Sequence, residues 1–209
     1  MVKPVVQISS QALGSGRERI CYRHPQEPGR VIKLQRGDAN KQSRREINVY
    51  RWMQRRGMID FSHIPRYYGR IDTNLGRGMV FDLVSDFDGQ ISRSLWDYFQ
   101  QGVPLSEFYP YLDELKQYML DNLVVFSVDM GRFNVLFQRL SESSARLVVI
   151  DGLGNHTAMN WLDNVPSLAR RKINRRWQRF ITRLQWYSDE VMLAHESYPQ
   201  QLEAAYRRA

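Results

Sequence analysis

Residues 124–137 read VVFSVDMGRFNVLF, which sets an aspartate (Asp129), a Gly-Arg pair and an asparagine (Asn134) between two strongly apolar, strand-like runs. Polar residues in such a place form either a simple turn or a loop held against the core for its chemistry. An aspartate there can orient or deprotonate an attacking hydroxyl, and an asparagine five residues later can turn its amide oxygen onto a magnesium ion. The neighbouring segments decide between turn and catalytic loop.

Downstream, after the polar turn LSESSAR, the run RLVVIDGLG is an apolar strand ending in Asp151-Gly152, seventeen residues past Asn134. A carboxylate at the end of a buried strand can reach the same metal, although Asp-Gly is also a favoured hairpin turn. Upstream, LSEFYPYLDELKQYMLDNLVV (105–125) and LWDYFQQG (95–102) read as helices.

The first third has another character. VVQISSQAL, RERICYR and GRVIKLQR are strand-like runs separated by Gly, Pro or polar turn residues, and they read as a short antiparallel meander. KQSRREINVYRWMQRRG carries Ile47, Tyr50, and Met53 or Gln54 at helical spacing, with Gly57 as a C-terminal stop. IPRYYGRIDT and GRGMVFDLVSDF follow as strands joined through Asn74–Gly78, which completes a mixed sheet of about five strands with one helix. The boundary between sheet-rich and helical parts falls near residues 86–92. The expected plan is α+β, with residues 1–88 as a sheet-rich lobe and 89–209 as a mainly helical one.

Three features of the sheet-rich part bear on function. Gly14-Ser15-Gly16 places two glycines in a strand-to-strand turn, where backbone N–H groups can approach phosphate oxygens, or where the chain simply turns. Lys33 lies inside an apolar strand, and a lysine facing a cleft needs an anionic partner. Glu46, thirteen residues on in the expected helix, can be that partner, or can pair locally with Arg44, Arg45 and Arg51.

The ordered set Gly-Ser-Gly, Val-Ile-Lys, Glu, Asp-x₄-Asn and Asp-Gly-Leu-Gly resembles the protein-kinase-like superfamily, and within it the whole chain is similar to the bacterial YrbL family, described as members of the PhoP regulatory network. The resemblance implies a two-lobed kinase-like fold, with a small antiparallel-sheet lobe and a shortened helical lobe. It also implies ATP and Mg2+ as cofactors. In it Gly14, Ser15, Gly16 and Lys33 bind nucleotide, Glu46 holds Lys33, Asp129 is the catalytic base, and Asn134 and Asp151 bind magnesium. Residues Phe81–Phe87 would connect the lobes and receive the adenine.

The chain departs from the family pattern at several places. Phe126-Ser127-Val128 precede Asp129 where protein kinases place His-Arg, and Gly131 stands at the usual lysine, with Arg132 expected to supply part of that charge. Arg19 stands near the third glycine of the loop, and 58 residues follow Asp151, without an Ala-Pro-Glu segment. The expected activity is ATP-dependent phosphoryl transfer to a hydroxyl acceptor: a small molecule, a sugar or lipopolysaccharide component, or a protein. The alternative is a catalytically weak pseudokinase that acts as a regulatory binding protein in the PhoP stress-response network.

Composition bounds the rest. The net charge of +8 rests on 25 arginines against five lysines, a balance suited to bidentate contact with phosphate or carboxylate. The single cysteine, Cys21, excludes an internal disulfide and a cysteine-based zinc cluster, and its flanks suggest a buried side chain. The four histidines lack metal-ligand spacing. No secretory signal or membrane span is legible, so the expectation is a cytoplasmic protein.

From Pro166 two helices are expected. ARRKINRRWQRFITRLQWY (169–187) places Ile173, Trp177, Phe180, Ile181 and Leu184 on one face, with Arg171, Arg175, Arg179 and Arg183 along another. The arginine stripe is either solvated or a seat for an anionic partner. Nucleic acid is not the expected partner, because no known type of stacking motif accompanies the charge.

Overall fold

The computed structural model describes residues 5–16, 19–36, 40–127, 130–153 and 165–206, with backbone alone for 40–45 and 195–206. The chain divides into two compact units, Met1–Ile91 and Ser92–Ala209. The class is α+β.

The first unit holds strands β1 (Gly14–Ser15), β2 (Arg19–Arg23), β3 (Arg30–Gln35), β4 (Tyr67–Thr73) and β5 (Gly76–Asp82), with helix α1 (Asn40–Arg55) between β3 and β4. Their order in the sheet is β1-β2-β3-β5-β4 and every strand pair is antiparallel, so the expected mixed sheet is not formed. The run VVQISSQAL is not one long strand. It touches the sheet through an isolated parallel bridge between Val6 and Thr73, and the Asn74 side chain pins it by accepting from Ile8 N at 2.8 Å and donating to Ile8 O at 3.2 Å.

Strand β3 is buried on both faces, which is why VIKL reads as a continuous apolar run around one lysine. On one face Ile32 and Leu34 join Val6, Ile8 and Val80 in a core closed by Tyr22 and Ile71. On the other, Val31 and Lys33 lie on the side of Phe81, where Tyr50 of α1 meets Phe81 at 5.3 Å and Tyr67 at 5.7 Å. Ile47, Tyr50 and Met53 are all fully buried, so α1 docks by the face its periodicity marks. It ends in a Schellman motif: Gly57 has φ 71°, with Gly57 N donating to Gln54 O at 3.0 Å and Met58 N to Met53 O at 3.1 Å. The β4–β5 connection is tighter than expected, since Thr73 already pairs with Gly76.

The second unit contains β6 (Arg93–Ser94), α2 (Leu95–Gln100), a 3-10 turn (Leu105–Phe108), α3 (Tyr109–Asp121), β7 (Val135–Arg139), β8 (Ala145–Val149) and α4 (Pro166–Tyr206). A reciprocal capping box between Ser94 and Asp97 starts α2. Helix α3 stops at Asp121 because Leu123 takes the left-handed φ of 49° and Val124 N returns to Met119 O at 2.9 Å. Strands β6, β7 and β8 form a small antiparallel sheet. The carboxy-terminal segment is one helix of 41 residues rather than two, and no glycine between Pro166 and Pro199 interrupts it. Its buried stripe is Ala169, Ile173, Trp177, Phe180 and Leu184, with Arg171, Arg175 and Arg179 exposed. Among the described residues no helix is long and apolar enough to cross a membrane.

One position in the sheet sets a steric limit. A Cβ on Gly78 would lie 2.5 Å from Ile32 Cγ2 and 2.9 Å from Leu34 Cδ2. Gly78→Ala is therefore expected to destabilise the protein by about 1–3 kcal/mol through overpacking. Urea unfolding should show a lower midpoint at unchanged slope, whereas an unchanged midpoint would mean that the two side chains repack without strain.

Candidate functional site

Lys33 and Glu46, expected to meet from a strand and a helix, are brought together and both are buried. Glu46 lies one helical turn before Tyr50, so the phase that buries the tyrosine also carries the carboxylate inward. Lys33 Nζ donates to Glu46 Oε1 at 3.4 Å and sits 4.5 Å from the centre of the Phe81 ring. The other carboxylate oxygen, Oε2, accepts from Nη1 of Arg19.

Arg19 is not among the expected site residues. The strand register explains its arrival: Cys21 pairs with Lys33, and Arg19, two residues before Cys21, faces the same side of the sheet. Its side chain is 7% exposed, and that of Glu46 is 4% exposed. One buried carboxylate is thus shared by two buried cations from neighbouring strands, a charge-assisted arrangement of the kind that makes such burial tolerable.

The glycine turn adjoins this group. Gly14 and Ser15 pair with Cys21 and Ile20, Gly16 N donates to Arg19 O at 2.8 Å, and Arg36 Nη2 donates to Ser15 Oγ at 2.5 Å. Neither glycine takes a positive φ, and a Cβ at Gly14 would meet nothing within 4 Å. At Gly16 a Cβ would touch only the Arg19 carbonyl oxygen, at 3.8 Å. Among the described residues, neither backbone conformation nor packing restricts these two positions to glycine. Phe81 is a buried residue of β5, and Phe87 is exposed within a turn in which Asp86 N donates to Gln90 O at 2.8 Å.

In the second unit, Asp129 lies outside the described residues, while the chain on either side is tightly held. Phe126 bridges Leu153, and Ser127 N donates to Gly152 O at 2.6 Å. Asn134 N donates to Gly131 O at 3.0 Å, and Ile150 N donates to Asn134 O at 2.9 Å. Asn134 is thereby tied to the residue preceding Asp151. Asp151 Oδ1 accepts from Gly152 N at 2.7 Å, and Gly152 has φ 83°, a conformation glycine adopts without strain. Ideal Cβ positions at Gly131 and Gly152 fall 3.4 and 3.8 Å from Asn134 Nδ2, so the amide is flanked by two glycines.

A second unforeseen residue stabilises this arrangement. Arg176, on the buried stripe of α4, donates through Nη1 to the Phe126 carbonyl. Its position one residue before Trp177 is the only sequence hint, because the arginines around it recur on the exposed face. Arg132 rests on rings: its guanidinium carbon is 4.1 Å from the centre of Trp96, 5.2 Å from Phe133 and 5.9 Å from Tyr187.

His24 is buried, and its Nδ1 accepts from Gln26 N and Glu27 N in a turn. His63 is buried, His156 lies outside the described residues, and Cys21 is half-buried rather than buried. Among the described residues no group of three or more His, Cys, Asp or Glu could hold a metal. Asn134 and Asp151 offer an amide oxygen and a carboxylate, a hard donor pair that suits Mg2+, which keeps its other positions for water and phosphate oxygens.

The Arg19–Glu46–Lys33 group should dominate local stability. Glu46→Ala removes the carboxylate that both cations share, and is expected to cost about 3–5 kcal/mol. A double-mutant cycle between Arg19→Met and Glu46→Gln, followed by chemical denaturation, should give a coupling energy above about 1 kcal/mol. Additive effects would show that Arg19 does not engage Glu46.

The family model described as "PhoP regulatory network protein YrbL" matches residues 7–185. The YrbL proteins of Escherichia coli (strain K12) and Shigella flexneri are each 37% identical over 184 residues, which cover 85% of this chain and 87% of theirs. With the family model matched over residues 7–185 and relatives 37% identical over most of their length, the chain belongs to the YrbL family.

Proposed function

We propose that this protein is a magnesium-dependent phosphotransferase of protein-kinase-like fold that transfers the terminal phosphoryl group of ATP to a hydroxyl acceptor. The observation that carries the reading is the buried Lys33–Glu46 pair on an antiparallel sheet, beside a glycine turn where no described residue crowds Gly14 or Gly16. A buried lysine oriented by a glutamate is suited to hold nucleotide phosphates, and bare backbone at Gly14–Gly16 suits their approach.

In this reading Asp129 takes the proton of the acceptor hydroxyl as its oxygen bonds to the terminal phosphorus, and the bond from that phosphorus to the bridging oxygen breaks to release ADP. Asn134 and Asp151 would hold Mg2+, which when bound neutralises charge on the phosphate oxygens. Gly152 and the pairing of Asn134 with Ile150 keep these two oxygen donors on fixed backbone. The remaining work is alignment and charge neutralisation.

The second reading, a regulatory binder within the PhoP network named in the family's description, draws on two observations. Arg19 holds one oxygen of Glu46 while Lys33 stands 3.4 Å from the other, and Gly131 stands where protein kinases have lysine. Both weaken the machinery for turnover without removing the means to bind nucleotide.

Titration with ATP, with and without Mg2+, followed by measurement of phosphate transfer, separates the readings. Wild type should bind ATP with Mg2+ dependence. Lys33→Met should weaken binding about tenfold or more, and Asp151→Ala should abolish the Mg2+ dependence. Asp129→Ala should lower turnover by at least about a hundredfold with little change in ATP affinity. Absence of nucleotide binding and of Mg2+ dependence would defeat the phosphotransferase reading, and binding without turnover, indifferent to Asp129→Ala, would favour the regulatory one.

A further inference from the structure

The ring cluster around Arg132 has a form that pinning a loop does not require. Trp96 of α2 packs edge-on against Phe133 at 6.4 Å and Tyr187 of α4 at 5.8 Å, and Tyr187 in turn meets Trp186 at 5.1 Å. The inner rings are partly covered, but the outer ones are open: Phe133 is 52% exposed and Trp186 59%. The Arg132 guanidinium lies over the middle of this row. Among the described residues its contacts are with rings alone, with no hydrogen bond or ion pair.

Attraction of a cation to a ring face uses the quadrupole of the ring and consumes none of the five N–H donors of the guanidinium. Held this way, the side chain has already lost most of its conformational freedom, so an anion meets a pre-positioned fork and little ordering remains to be done on binding. Arg183 lies one turn before Tyr187, on the same side of α4. The exposed rings flanking the fork offer apolar faces, on which the C–H face of a sugar ring can lie while its polar edge stays in water. A lone inorganic anion would have no use for those rings, and a neutral sugar no use for the fork.

We infer that Arg132, Phe133, Trp96 and Trp186 form a binding site for a small phosphorylated sugar, with the phosphate on the Arg132 guanidinium and the sugar ring against the exposed aromatic faces. Arg132 lies in the loop between Asp129 and Asn134. The site therefore names the acceptor class of the proposed phosphotransfer, and in that respect rests on that reading. Binding itself does not depend on turnover. The role of Arg132 then shifts from replacing a missing lysine to recognising the acceptor.

The test uses the full chain without nucleotide. Glucose 1-phosphate, glucose 6-phosphate and N-acetylglucosamine 1-phosphate are titrated by calorimetry, beside glucose, N-acetylglucosamine and inorganic phosphate. At least one sugar phosphate should bind about tenfold or more tightly than both its parent sugar and inorganic phosphate. Arg132→Gln should remove about tenfold of that affinity, Trp186→Ala several-fold, and Arg132→Lys should fall between wild type and Arg132→Gln. Urea midpoints of the variants identify any that fail to fold, and the surface change Trp186→Ala keeps the test open if Arg132→Gln is one of them.

Binding of no sugar phosphate to wild type, or binding unchanged in Arg132→Gln and Trp186→Ala, overturns the proposal. Sugar-phosphate binding with the expected losses, in a protein that transfers no phosphate from ATP, supports this site and counts against phosphotransfer. The two failures are therefore distinguishable.

Discussion

The carboxylate of Glu46 is the constraint on which the first unit depends. A charge that is 4% exposed is tolerable only when paired, and its two cationic partners come from adjacent strands of one sheet. That requirement fixes how α1 rotates about its axis, and the same rotation seats Tyr50 and Met53 against the sheet. It also fixes the register of β2 on β3, since a slip of one residue would send Arg19 to the opposite face. Apolar packing supplies most of the driving force, at about 1.5–3 kcal/mol for a side chain such as Ile32. It is far less particular about register than the ion group is.

What sequence can reveal follows from how each contact is encoded. The phase of α1 and the two-sided burial of β3 are periodic signals, so Lys33 and Glu46 are legible as partners from the order of residues alone. Arg19 is not. RICYR has neither a continuous apolar run nor a clean alternation, and only pairing with β3 shows which face Arg19 occupies. The tethering of residues 6–8 by the Asn74 side chain is likewise a contact across 66 residues, invisible to any local pattern. Arg176 sits within a basic stretch where exposed arginines mask the buried one.

Residues 124–137 show the same division. Their apolar flanks and the Asp-Gly that follows β8 can be read directly, and they do come together: Phe126 with Leu153, Ser127 with Gly152, Asn134 with Ile150. The contribution of α4 to this region cannot be read, because a carbonyl acceptor leaves no mark in composition. Arg132 is a related case. Its position suggests charge near the reacting groups, whereas its contacts are with rings from α2, from α4 and from its own neighbour Phe133.

These contacts bear on whether the stretch is merely a turn. Reversing the chain between two strands requires a few backbone hydrogen bonds and residues tolerant of the turn angles, as Asn74-Leu75 achieves between β4 and β5. Residues 126–134 carry much more. A buried arginine on a distant helix is committed to the Phe126 carbonyl, although burying a guanidinium is costly. A left-handed glycine follows Asp151, and two glycines flank the Asn134 amide. The left-handed glycine serves a turn as well, but the arginine contact is not needed for a chain to reverse direction. The hydrogen bonds at Phe126, Ser127, Asn134 and Ile150 limit the freedom of the segments that bear Asn134 and Asp151, the property that the proposed magnesium-holding role requires.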